Sequence, residues 1–142
     1  MTAPTLSGLS VGDVVINHST TLERSDLVRY AGASGDFNAI HWNPAFATSV
    51  GLPDTIVHGM LTMGRAIAPV SVWAGDPAAV SSYGVRFTKP IVMPYPGSAT
   101  IDITGTVGAI DVDAGTARID LTVTVGGGGV LGKARAEVRL AS

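Results

Sequence analysis

With 142 residues, the chain has the length of a single domain able to bury its own core. Only 14% of it is charged against 46% hydrophobic, and the net charge of −2 leaves no basic footprint for nucleic acid; so apolar a composition predicts a partly covered surface, as in an oligomer. Cysteine is absent, which excludes disulfides, thiolate metal sites and cysteine nucleophiles.

The opening stretch MTAPTLSGLSVGD lacks a charged start followed by an apolar run, so no signal peptide is read and a cytoplasmic location is expected. Residues 11–16, VGDVVI, predict a short strand. In TLERSDLVRYAGASG, apolar residues fall at Leu22, Leu27, Tyr30 and Ala31, with acids near the start and glycines at the end. That pattern predicts a helix of about two to three turns closed by Gly32 or Gly35. An irregular segment from Asp36 to Asn43 follows, then a short helix from Pro44 to Val50, with proline suited to the first turn.

The stretch HGMLTMGRAIAPVSVWAG, residues 58–75, carries Leu61, Met63, Ile67, Ala68, Val70, Val72 and Trp73 around the whole helical circumference. A helix apolar on nearly every side is expected to be buried. Arg65 and Pro69 interrupt it, so it is too broken to span a membrane, and Pro69 is a place for a kink. The rest of the chain is β-like: SSYGVRFTKPI, SATIDITGTVGAI, TARIDLTVTV and GVLGKARAEVRLA. Ile101, Ile103 and Val107, then Ile119, Leu121, Val123 and Val125, alternate at period two, and Asp113-Ala114-Gly115 and glycines 126–129 supply turns. The expected fold is α+β, an antiparallel sheet curled around one apolar helix.

Three side chains stand out in ASGDFNAIHWNP: Asp36, Asn38 and His41. Five residues apart, Asp36 and His41 would point roughly 140° away from each other on a helix and to opposite faces of a strand. They cooperate only if the backbone between them is irregular, as Gly35, Asn38, Asn43 and Pro44 predict. On spacing alone, the same residues would equally serve to cap helices and close turns. Some seventeen residues later, Gly59 opens the apolar helix, where unpaired N–H groups and a positive dipole end face outward. Gly59 would let a ligand approach that backbone closely. An acid, a base and an oxyanion site are the parts needed for proton chemistry beside a carbonyl. His18 is expected at the surface, no two histidines have metal-ligand spacing, and the four glycines read as a hairpin turn rather than a phosphate cradle. No serine lies in a nucleophile setting.

YAGASGDFNAIHWNPAFA resembles the S-G-D-x-N-P-[LIV]-H motif of the MaoC-like (R)-specific enoyl-thioester hydratases and dehydratases. IVHGMLTMG resembles the start of their central hot-dog helix, and VRFTKPIVMP the strand after it. Within the family, HGMLTMG and WAGDPAAV are most similar to the catalytic (HadB-like) subunits of the 3-hydroxyacyl-ACP dehydratases of mycolic-acid-type elongation. The resemblance implies a single hot-dog domain over 1–142 with Asp36, His41 and Gly59 as the catalytic set. Asn38 matches the amide that braces the loop, and with His58 and Met60 it is expected along the substrate, although a histidine at a helix start often serves only as a structural hydrogen-bonder. The family's proline after the asparagine is Ala39 here, which removes a φ restraint but no functional side chain. The implied reaction is reversible dehydration of a (3R)-3-hydroxyacyl thioester, on ACP or CoA, with no metal or redox cofactor. The implied assembly is a homodimer, or a heterodimer with a related hot-dog subunit, with neither nucleic acid nor membrane as partner. A hot-dog thioesterase and an inactive supporting subunit are the alternatives.

Overall fold

The computed structural model describes residues 3–142. After a 3-10 turn at Leu6–Gly8 come strand β1 (Val14–Glu23), helix α1 (Arg24–Ser34), a 3-10 turn (Ala39–His41), and helices α2 (Pro44–Ser49) and α3 (Gly59–Ala74). Strands β2 (Val80–Phe87), β3 (Ser98–Asp111), β4 (Thr116–Val125), β5 (Gly128–Gly129) and β6 (Leu131–Arg139) complete the chain. The named strands pair antiparallel, in the order β1-β3-β4-β6-β2, with β5 beside β4. The sheet wraps α3, as expected, and no helix among the described residues is long and apolar enough to cross a membrane.

β1 starts later and runs much further than the 11–16 stretch suggested. Its polar half, NHSTTLE, shows little apolar alternation because β1 is an edge strand on which only Ile16 and Leu22 are buried. Pairing of Asn17–Glu23 with Thr104–Ser98 of β3 supplies the backbone bonds that propensity does not. α1 begins in a capping box: Glu23 N–H donates to Asp26 Oδ2 at 2.8 Å. It runs through Gly32 and stops at Gly35, whose φ of 77° is the left-handed conformation that a helix C-terminus favours. Asn43 caps α2, accepting from Phe46 N–H at 3.1 Å, with Pro44 in the first turn. Gly126 and Gly127, at φ 56° and 80°, form a two-residue hairpin turn closed by the Val125–Gly128 pair.

The core lies between the concave face of the sheet and one stripe of α3. Leu22, Leu27, Val70, Met93, Ile101, Ile103, Ile119, Val123 and Val138 are fully buried. α3 is not buried all round, contrary to the reading of its apolar circumference. Thr62, Ala66, Val70 and Ala74 recur every fourth residue and face the sheet, whereas Met60 is 58% and Val72 72% exposed. One sheet covers one side of a helix. α3 continues through Pro69 from Gly59 to Ala74, with one rung of its hydrogen-bond ladder missing because proline has no N–H.

Candidate active site

The segment after α1 is irregular, and its irregularity is held by short-range bonds. Asp36 Oδ1 accepts the Asn38 N–H at 3.2 Å, and Asn38 Oδ1 in turn accepts the Ile40 N–H at 3.2 Å. Asn38 thereby caps the 3-10 turn Ala39–His41, so the bend needs no proline at position 39. Trp42 Nε1 donates to the Phe37 carbonyl at 2.9 Å and closes the segment from outside. This bend brings the acid to the base. Asp36 Oδ2 lies 3.8 Å from His41 Nε2, with His41 buried and Asp36 half exposed.

The tautomer of His41 follows from its other nitrogen. Nδ1 lies 2.7 Å from the Ile56 carbonyl, which can only accept, so Nδ1 carries the proton and Nε2 presents a lone pair toward Asp36. The 54–57 connector that delivers this carbonyl is held on several sides. Ile56 N–H donates to Ile40 O at 3.1 Å, Val57 N–H to Ile91 O at 2.8 Å, and Met93 N–H to Thr55 O at 2.8 Å. Arg24 clamps the connector from below, with Nη2 2.9 Å from both Asp54 Oδ1 and the Met93 carbonyl. Ile56 and Arg24 carry no catalytic motif, and nothing local in the sequence marks them.

His41 and Gly59 line one cavity of about 270 Å³, with Ile56, Val57, Thr62, Phe87–Ile91, Val130 and Leu131. At the start of α3 the first helical bond runs from Thr62 N–H to His58 O, at 3.1 Å, which leaves the N–H groups ahead of it without helical partners. Gly59 has a tight neighbour there that its surroundings in sequence do not reveal. A Cβ on it would lie 3.0 Å from Phe87 Cε1, because the Phe87 ring at the end of β2 rests against the helix start. Lys89 is the charged side chain of the cavity wall.

The three residues expected along the substrate do not line this cavity. Asn38 is spent on the loop. Met60 projects from the exposed side of α3. His58 is 1% exposed and lies behind His41, its ring stacked at 3.7 Å between centroids and 20° between planes. His58 Nε2 donates to the Asp36 carbonyl at 3.1 Å, and Tyr30 meets the ring edge-on at 4.8 Å. Burial holds the His58 imidazole below the ordinary 6.5, with His41 adding to the effect and the bond to Asp36 O and the Asp36 charge opposing it. Donor atoms of Asp36, His41 and His58 fall within 4.8 Å of one another. The stacked rings, however, keep their nitrogen lone pairs in nearly parallel planes, and one nitrogen of each ring is committed to a carbonyl. Converging tetrahedral coordination does not fit. His18 of β1 is exposed, as expected, and is not among the residues that line this cavity.

The model of the MaoC-like domain matches residues 10–125. The chain belongs to the MaoC-like domain family. A solved structure described as a MaoC-like dehydratase superposes with a TM-score of 0.94 at 40% identity, over 98% of this chain and 43% of that one. The 3-hydroxyacyl-thioester dehydratase X of Mycobacterium tuberculosis is 46% identical over 66 residues, 46% of this chain and 22% of that protein. The peroxisomal enoyl-CoA hydratase 2 of Arabidopsis thaliana is 40% identical over 70 residues, 48% of this chain and 22% of that protein. The chain thus spans about a fifth of the length of these two relatives. An (R)-hydratase of A. caviae, 23% identical, shares the fold at a TM-score of 0.81 over 93% of this chain and 97% of that one. The MaoC-like fold therefore extends over the hot-dog sheet, its central helix and the Asp36–His41 bend.

Proposed function

We propose that this MaoC-like chain is a hydro-lyase interconverting (3R)-3-hydroxyacyl and trans-2-enoyl thioesters. The observation that carries the reading is the approach of the Asp36 carboxyl group to His41, whose Nε2 faces it, beside the open N-terminus of α3. The names of the relatives, a 3-hydroxyacyl-thioester dehydratase and an enoyl-CoA hydratase, support the same class.

In dehydration, His41 Nε2 takes the C2 proton while the protonated Asp36 carboxyl gives its proton to the C3 hydroxyl, which leaves as water. The proton gained by His41 returns to Asp36 through a shared water that bridges their 3.8 Å separation, and this resets the pair. In hydration the order reverses: Asp36 deprotonates the water whose oxygen adds to C3, and protonated His41 delivers its proton to C2. The N–H of Gly59 receives the thioester oxygen as enolate charge develops, and the helix dipole favours that charge. Acid–base groups of this kind contribute about 10²–10⁴-fold and one oxyanion donor about 10²–10³-fold, so the rate depends on both. The largely apolar cavity wall of Ile56, Phe87, Ile91, Val130 and Leu131 suits an acyl chain.

The exposed apolar side of α3 and the free edge of β2 support a dimer in which a second hot-dog chain covers both. A homodimer or a pairing with a related subunit, a cytoplasmic location and a place in mycolic-acid-type elongation belong to the same proposal. Incubation with crotonyl-CoA tests the activity. Loss of the conjugated enoyl absorbance without thiol release is the expected result, and thiol release would identify a thioesterase instead. An inert protein would point to a supporting subunit. Light scattering on the eluting protein, alone and after co-expression with neighbouring hot-dog chains, tests the assembly.

A further inference from the structure

His58 occupies the N-cap of α3, yet its side chain caps nothing. It is turned beneath the segment that carries Asp36 and His41, and both rest on it. Its Nε2 holds the Asp36 backbone carbonyl at 3.1 Å, and its ring face holds the His41 imidazole at 3.7 Å. Tyr30 of α1 closes the far side of the ring at 4.8 Å. The other bonds around Asp36 are local: Gly35 N–H to Ala31 O, Asp36 N–H to Ser34 Oγ, and Asn38 N–H to Asp36 Oδ1. The contact to His58 spans 22 residues and ties this bend to the core helix.

A packing role alone would be better served by an apolar ring. A buried imidazole hides two polar nitrogens, and Nδ1 of His58 finds no partner among the described residues. What the imidazole adds over a phenyl ring is the N–H aimed at Asp36 O. We propose that His58 is the positioning residue of the acid–base pair, setting the separation of Asp36 and His41 from behind without touching substrate. The charged or titratable groups facing it are Asp36 and His41 of the bend and Tyr30 of α1. Because burial disfavours the charged form of His58, it holds both residues without placing a cation against the His41 ring.

Two substitutions in the full chain separate the bond from the stack. His58→Phe keeps a flat ring against His41 and Tyr30 but has no N–H for Asp36 O. His58→Gln keeps an N–H donor and removes the ring. The kinetic arm rests on the hydro-lyase reading. With crotonyl-CoA, His58→Phe should lower kcat by about 10- to 100-fold with KM within about twofold, since a misplaced group costs rate and not binding. His58→Gln should recover much of that loss. The second arm needs no substrate. Backbone amide relaxation by NMR should show residues 35–38 becoming mobile in His58→Phe and remaining ordered in His58→Gln, at temperatures where both variants stay folded. An inert wild-type protein would sink the functional reading, and the NMR comparison would still judge His58. Wild-type kcat with an ordered 35–38 segment in His58→Phe overturns the proposal. So does equal damage in both variants, which would assign His58 to packing.

Discussion

The Ile56 carbonyl accepts the Nδ1 proton of His41 at 2.7 Å, and the Ile56 N–H donates at 3.1 Å to the carbonyl of Ile40, the residue just before the histidine. One residue of the connector ahead of α3 therefore sets the tautomer of the base and the height of the backbone that bears it. A backbone carbonyl does this without a side chain, so substitution at position 56 leaves the arrangement in place. The reactive nitrogen is fixed by the path of the chain. It follows that the pair is best probed through its own side chains and through the groups that hold the connector.

Removing either partner should break the same proton circuit. His41→Ala and Asp36→Asn are each expected to lower kcat by at least about 10²-fold while the far-UV circular dichroism stays native. The double variant should be scarcely slower than the worse single one, because one circuit is being interrupted twice. Initial rates with crotonyl-CoA measure all three. Near-normal turnover in either single variant removes the mechanism.

The contact between Gly59 and Phe87 makes a second prediction. In Gly59→Ala the new Cβ meets the ring at 3.0 Å, and the ring must give way inside a cavity that both residues line. We expect kcat/KM to fall by about tenfold or more as the ring crowds the helix N-terminus. Combining it with Phe87→Ala should restore much of the activity. If the double variant stays inactive, the methyl group itself obstructs the site and the ring is a bystander.

Arg24 holds Asp54 and the Met93 carbonyl at once, with side-chain exposures of 20% and 28% for the ion pair. Arg24→Ala leaves both acceptors in poorly solvated positions and should cost about 1–3 kcal/mol of stability, read from urea unfolding. Asp54→Ala removes the other end, together with the acceptor for Thr55 N–H at 2.7 Å. The two losses should be clearly less than additive in the double variant. Additive losses would mean that the ion pair contributes nothing of its own.

His58 makes stability depend on pH in a direction that can be worked out. Its proton affinity in the fold lies below the ordinary 6.5, so the unfolded chain takes up a proton that the folded chain refuses. The contribution is complete above 6.5 and is lost as the pH falls below it toward the folded value. The melting temperature should therefore decline as the pH is lowered below 6.5, and the decline should be shallower in His58→Phe. Parallel curves for the two proteins would show that His58 is not the group responsible.

Much of this protein is local in origin and was legible in the chain. Alternation in Ile101, Ile103 and Val107 and in Ile119, Leu121 and Val123 marks strands because side chains on a strand change face at each step. Glycine and asparagine around Asp36 mark a bend because they relieve the backbone of regular geometry, and the bend is what joins the acid to the base. Other features arise only when distant segments meet. The polar half of β1 is a strand because β3 lies alongside it. Apolar residues all round α3 indicate what the helix would bury, but the single sheet reaches one stripe of it. From its place at the helix start, His58 reads either as a substrate contact or as a structural hydrogen-bonder, and only the fold, which turns it inward under Asp36 and His41, decides for the second. Ile56, Arg24 and Phe87 act through a carbonyl, a long-range ion pair and a ring edge. Their partners lie between 15 and 69 positions away along the chain, so only the packed chain brings them into reach.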